Sequence, residues 1–274
     1  MQKSFPFTKE ILITGGTSGL GLELVKIFLR KGFFVVATGR QLINFPGYED
    51  RFKLYHTDFC DLKQTIRSAG NICEAHDLTY VINNAGILSP PEFTTTTDGY
   101  EYTFQINFLS HLLINEVIIK RLAINKPVKI AAVTSMVYKL SQISLSDHQT
   151  RNNYKPLRAY SDSKLFLSLM CMYLSAKYQD LNLSCFSFNP GVFSSGIYRM
   201  QHNWFRKMYR IASPYMRQPE KIAAILAELL ISHDICNGAV YDTRKKARHL
   251  SVTEPDVYDN FWKDIYEKIN PYLK

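Results

Sequence analysis

This 274-residue sequence predicts an α/β fold, a single-domain, doubly wound parallel sheet with helices on both faces. Two observations predict it. Short apolar runs alternate with amphipathic stretches along the chain, and a glycine cluster stands where the first run gives way to the first helix. Residues 10–14 (EILIT) read as a buried strand, and 20–31 as a helix with Leu20, Leu24, Ile27 and Phe28 on one face. Strands follow at 33–38 and 52–57, a helix at 61–74, and a strand at 79–83. A long helix is expected over 98–122 with Asp98 as its N-cap, then a strand at 128–134 and a second long helix at 157–178. A strand at 183–188, a helix at 219–231 and a short strand at 239–241 complete the series. Segment 41–51, with Pro46-Gly47, reads as a loop rather than a crossover helix.

Composition narrows the function classes. At 46% hydrophobic and 21% charged residues, the chain has ample material for a core. Its apolar runs are too short to cross a bilayer, and the first ten residues mix Lys3, Pro6, Lys9 and Glu10, with no secretory segment. These features point to a cytoplasmic protein. The net charge of +9 is not gathered into long Lys/Arg blocks, so nucleic acid is not an expected partner. The five cysteines form no CxxC pair and the seven histidines no HxxxH or HExxH spacing, so no metal site is expected. Homo-oligomer formation is left open.

Residues 14–21, TGGTSGLG, place glycines at 15, 19 and 21 between the first strand and helix. Backbone without Cβ lets a pyrophosphate approach N–H groups at a helix start, where the dipole favours negative charge. That makes the expected fold Rossmann-type. The bland reading is an ordinary glycine-rich turn. No GK[ST] follows, and Leu20 breaks a GxSxG elbow around Ser18. The second strand ends Thr38-Gly39-Arg40, without the acid that binds a ribose 2′-hydroxyl in NAD sites. Arg40 stands where a guanidinium could pair with a 2′-phosphate, so NADP(H) is favoured over NAD(H), the alternative being that Arg40 caps the sheet edge.

An ordered set of motifs then resembles the short-chain dehydrogenase/reductase family, over residues 9–242. TGGTSGLG is similar to the family's TGxxxGxG, and Asn83-Asn84-Ala85-Gly86 to its NNAG. Asn107 in the long helix, Ser135 after strand five and Tyr160-Ser161-Asp162-Ser163-Lys164 (YxxxK) stand where the family has its catalytic residues. Asn189-Pro190-Gly191 matches the PG motif, with Ser195 at a nicotinamide-contacting place and Asp58 at the adenine-ring acid, or else a helix cap. The resemblance implies a cofactor set of Gly15, Thr17, Ser18, Gly19, Leu20, Gly21, Arg40, Asp58, Asn84, Ala85, Gly86, Tyr160, Lys164, Pro190, Gly191 and Ser195. The 25 residues from Ser135 to Tyr160, together with Thr97-Asp98-Gly99-Tyr100-Glu101 and Ser163-Lys164-Leu165, resemble the retinol-dehydrogenase-like branch, though that branch's membrane-spanning N-terminus is not seen here.

The chemistry follows from residue types. Hydride delivery to a carbonyl leaves an alkoxide that needs a proton, and a phenol of pKa about 10 donates poorly near neutrality. A nearby ammonium favours the phenolate. Tyr160 and Lys164 are i and i+4, on one helix face, and Ser135 can hydrogen-bond the substrate oxygen. The resemblance further implies that Lys164 binds the nicotinamide ribose and Asn107 a water in a proton relay. Tyr173–Lys177 repeats YxxxK deeper in the same helix, where Tyr173 is expected in the core and Lys177 in solvent. The competing reading is a catalytically silent nucleotide-binding regulator of the same fold. The segment 196–217, rich in aromatic, Met and basic residues including Trp204 and Phe205, is expected to be a lid over a lipophilic carbonyl or alcohol, with peripheral membrane contact as a variant, or else a helix docked on the core.

Overall fold

The computed structural model describes residues 9–141, 153–193, 217–232, 235–251 and 254–273. Its sheet has eight strands in the order β3-β2-β1-β4-β5-β6-β7-β8. These are β1 (Glu10–Ile13), β2 (Phe34–Gly39), β3 (Phe52–His56), β4 (Leu78–Asn83), β5 (Val128–Val133), β6 (Leu183–Phe188), β7 (Val240–Tyr241) and β8 (Ala247–Arg248). All neighbours pair in parallel except β7 with β8. The order reverses between β1 and β4, so the ends of these strands diverge into a crevice, the place where such sheets bind ligands.

Alternation along each strand divides the core into two layers. Ile11, Ile13, Val35 and Ala37 face helices α1 (Gly19–Arg30) and α5 (Pro219–Ile231). Leu12, Val36, Val81 and Ile130 face α2 (Leu62–Ala75), α3 and α4 (Pro156–Lys177). Helix α3 runs from Tyr102 to Ala123 and is not uniform: two wide π-turns, Gln105–Leu109 and Ile119–Ala123, interrupt it. It starts later than expected. Gly99 takes a left-handed φ of 83° and turns the chain, so Glu101 caps the helix by accepting from the Phe104 amide at 2.6 Å. Asp98 instead accepts from the Leu62 amide and the Gln105 side chain, both at 2.9 Å.

Two elements at the carboxyl end go beyond the sequence reading, β8 and helix α6 (Pro255–Leu273). Helix α6 lies on α3 and α4: Trp262 stacks on Tyr173 at 4.1 Å between centroids, and Phe261 on Phe166 at 5.1 Å. Tyr173 therefore packs as expected, but Lys177 is not simply solvated. It is half-buried over the Tyr266 ring and paired at 3.0 Å with Glu116, a fully buried carboxylate that also accepts from the Tyr178 and Tyr266 hydroxyls. Segment 41–51 holds no helix. The expected lid over 196–217 lies outside the described residues apart from Arg217, which pairs in parallel with Phe193. Among the described residues, no helix is long and apolar enough to cross a membrane.

Candidate active site

A groove of about 290 Å³ runs along the carboxyl edge of the sheet, lined by Gly15, Thr17, Ser18, Arg40, Asp58, Ala85 and Gly86 from the predicted set. Thr38 and Gly39, beside Arg40, also line it, as do Thr57, Phe59, Ile87 and Ile106, which the motif reading passed over. The glycines are there for contact. Gly15 has a φ of 65°, and a Cβ on it would meet the Ala85 Cα at 2.9 Å; one on Gly21 would meet the Gly15 carbonyl oxygen at 2.2 Å. Gly19 opens α1 with a φ of 54°. The Leu20 side chain is buried in the core with Leu24, so only its backbone could serve a ligand. Asn84 works from beneath the loop: its amide donates to the carbonyl of Thr14 at 2.9 Å and to that of Gly15 at 3.4 Å.

At the outer end, exposed Arg40 follows Gly39, whose missing Cβ would lie 2.4 Å from Thr17 Cγ2. Asp58 accepts from the Cys60 amide at 3.1 Å, a local turn bond that leaves the residue on the groove wall. The groove thus joins a loop of backbone amides at a helix start, which fits the pyrophosphate of a dinucleotide, to the Arg40 cation at its outer end.

The four expected catalytic positions do not line this groove; Asn107 and Lys164 meet it at Gly86, and the four fall on three elements. Asn107 sits in the first π-turn of α3, Ser135 caps the 3₁₀ turn Met136–Leu140 after β5, and Tyr160 and Lys164 lie in the second and third turns of α4. The Asn107 side chain straps the turn after β4 to α4. Its carbonyl oxygen accepts from the Ile87 amide at 2.8 Å, while its amide donates to the Ile87 carbonyl and the Ser163 hydroxyl, both at 3.0 Å. A Cβ on Gly86 would lie 3.2 Å from Asn107 Oδ1 and 3.3 Å from Lys164 Nζ, so the turn after β4 touches both. Lys164 Nζ stands 5.8 Å from the centroid of the Tyr160 ring. The lysine is buried, and burial brings its pKa down to about 8. Ser135 is half-buried at the strand end and accepts from the Val137 amide at 3.5 Å, a weak bond. Pro190 is buried at the end of β6; Gly191 takes a φ of 69° and donates to Asn189 Oδ1 at 3.0 Å. Ser195 lies outside the described residues.

Two polar residues the sequence reading did not single out tie the site together: Thr14, which receives the Asn84 and Ala85 amides, and His111, which contacts Thr14. A signal for His111 was available, since it stands one helical turn after Asn107 in the same helix.

A glycine turn at a helix start, on the crevice of a parallel sheet, is the form of a dinucleotide-binding protein. The chain belongs to the short-chain dehydrogenase family, a class of NAD(P)-dependent oxidoreductases, and the family model described as short chain dehydrogenase matches residues 9–206. Within it the chain is similar to the retinol-dehydrogenase branch. Retinol dehydrogenase 12 of Mus musculus is 26% identical over 238 residues, 83% of this chain and 74% of its own. Retinol dehydrogenase 11 of Homo sapiens is 26% identical over 223 residues, 78% of this chain and 70% of its own. Among solved structures, ElxO with NADP bound has a TM-score of 0.66 at 18% identity, covering 86% of this chain and 96% of the other. A 3-ketoacyl-(acyl-carrier-protein) reductase from Brucella melitensis complexed with NADH has a TM-score of 0.65 at 19% identity, with coverages of 86% and 96%. These structures share the fold.

Proposed function

We propose that the chain interconverts a lipophilic carbonyl and its alcohol with NADP(H), using Tyr160 as the proton-transfer group. The observation that carries the reading is the buried Lys164 ammonium, set beside both the Tyr160 ring and Gly86 at the inner end of the groove. Bound there, the nicotinamide would supply or accept the hydride. Tyr160 then gives its proton to the oxygen of a reduced carbonyl, or takes one from an alcohol. Lys164 favours the phenolate by its charge and so eases the release of the phenol proton. The Ser135 hydroxyl donates to the same substrate oxygen and holds its developing charge. Asn107 acts on the frame, fixing the turn at Ile87 against α4.

Arg40 supports the NADP(H) preference by its place on the groove wall, and Gly39 supports it by leaving no acid for a ribose hydroxyl. A lipophilic substrate is supported by exposed apolar side chains close in sequence to the catalytic positions: Met136 and Leu140 after Ser135, Leu157 before Tyr160, and Val192 after Pro190-Gly191. The relatives' names, retinol dehydrogenases, carry the same suggestion. The test is a panel of aldehydes, ketones and alcohols of graded chain length, followed by nicotinamide absorbance with each cofactor. Turnover that rises with apolar length and is faster with NADP(H) is expected. Preference for short polar substrates, or for NAD(H), would overturn those parts of the proposal.

A further inference from the structure

We propose that His111 is a positioning residue whose imidazole, fixed in one tautomer, locks the cofactor loop to the turn carrying Asn107. The inference rests on the function proposed above and assigns a role within that site.

The tautomer follows from the partners. His111 Nδ1 lies 3.0 Å from the backbone carbonyl of Asn107. A carbonyl only accepts, so Nδ1 carries the hydrogen. His111 is fully buried, and burial, helped by the Lys164 charge, brings its pKa down to about 3. The ring is neutral in working conditions and Nε2 is an acceptor. Facing it at 3.0 Å is the Thr14 hydroxyl. That oxygen already receives two amides, Asn84 N–H at 2.9 Å and Ala85 N–H at 3.0 Å, which occupy both of its lone pairs. Its single hydrogen goes to Nε2, the Ile82 carbonyl being a longer alternative at 3.3 Å. The opposite tautomer would set the Nδ1 lone pair against the Asn107 carbonyl, and the Nε2 hydrogen against an oxygen whose lone pairs are already taken.

The geometry explains why this matters for the cofactor. Thr14 is the residue before Gly15, and Asn84, beneath the loop, leads into Ala85 on the facing wall of the groove. Gly15 and Ala85 are already in contact. With its hydrogen held by His111, the Thr14 hydroxyl keeps both lone pairs on that wall. Without His111 the hydroxyl can turn, and the two backbone segments on either side of the groove lose their common anchor. The other end of the ring holds Asn107, whose side chain fixes Ile87 and Ser163.

Two substitutions separate the ends of the ring. The Gln side chain places a polar atom near the Nε2 position and can accept from Thr14. That of Asn reaches only the Nδ1 position, and serves the Asn107 carbonyl alone. The experiment measures NADPH affinity by fluorescence titration, kcat, and melting temperature for the full chain, His111→Gln, His111→Asn and His111→Leu. The expected result is an NADPH Kd within about threefold of the parent for Gln and about tenfold weaker for Asn and Leu, the loss of roughly one hydrogen bond. Equal Kd values for Gln and Asn, or variants that change only the melting temperature, would overturn the inference while the proposed function stands. A parent chain that binds neither NADPH nor NADH would overturn both.

Discussion

The Lys164 ammonium donates to the Val133 carbonyl at 3.0 Å, tying helix α4 to the end of the strand that leads into Ser135. This burial has a pH signature. An unfolded lysine holds its proton to about pH 10.4, whereas here burial brings the value to about 8. Between these limits the unfolded chain binds more protons, so Lys164 makes the fold more stable as pH rises from about 8 to 10. Lys164→Met removes the cost of the buried charge and should be the more stable protein at pH 7, with an advantage that shrinks as pH rises. Melting temperatures across pH 7–10 read this directly, and a pH-independent difference would contradict it.

His111 predicts the opposite wing. Its folded pKa of about 3 lies below the unfolded value of about 6.5. Stability from this group is fully present above the unfolded value and is lost as pH falls through the interval. The stability curve of His111→Gln should therefore fall less steeply than that of the parent between pH 6.5 and 4. Parallel curves from chemical denaturation would show that the imidazole does not stay neutral in the fold.

At the outer groove, Arg40→Ala should weaken NADPH binding about 10–100-fold, the loss of one charge-assisted hydrogen bond, while NADH affinity stays within about threefold. Gly39→Asp should not convert the cofactor preference alone. Its Cβ would fall 2.4 Å from Thr17 Cγ2, so the loop must shift. Gly39→Asp combined with Thr17→Gly should recover NADH binding that the single change lacks. Titration of both variants with both cofactors checks this.

Helix α6 is structural in this account. Trp262 is 2% exposed and sits among Tyr173, Phe108 and Phe261. Trp262→Ala should cost about 3–5 kcal/mol of stability, the range for a buried large-to-small change. Tyr173→Phe keeps the ring and should cost far less. In both, turnover per folded molecule should match the parent, as measured after correcting for the folded fraction by circular dichroism. A loss of kcat in Tyr173→Phe would revive the second YxxxK pair.

The strands and the glycine turn were legible in the sequence because their signals are local. A strand such as 183–188 declares itself by an apolar run, and Gly15 and Gly21 by their place between strand and helix. Asp98 misled because a short acid before a helical pattern is a cap signal whichever acid serves, and Gly99 decides the matter by a turn the pattern does not encode. Helix α6 was hidden by its mixed composition: Asp256, Asp259, Lys263 and Glu267 dilute a face that only α3 and α4 make buried. The same holds at the site. Asn107, Tyr160 and Lys164 are recognisable by motif, but the Thr14–His111–Asn107 chain spans 97 residues in one of its bonds and exists only once the sheet is assembled.

The proposed function turns on proton transfer by the Tyr160 hydroxyl. The most direct measurement is kcat of Tyr160→Phe beside its NADPH Kd, on the best substrate from the panel. Proton transfer by a positioned group contributes about 10²–10⁴-fold, so kcat should fall by that much while Kd stays within about threefold and the fold is unchanged. A Tyr160→Phe enzyme turning over within a fewfold of the parent would contradict the account.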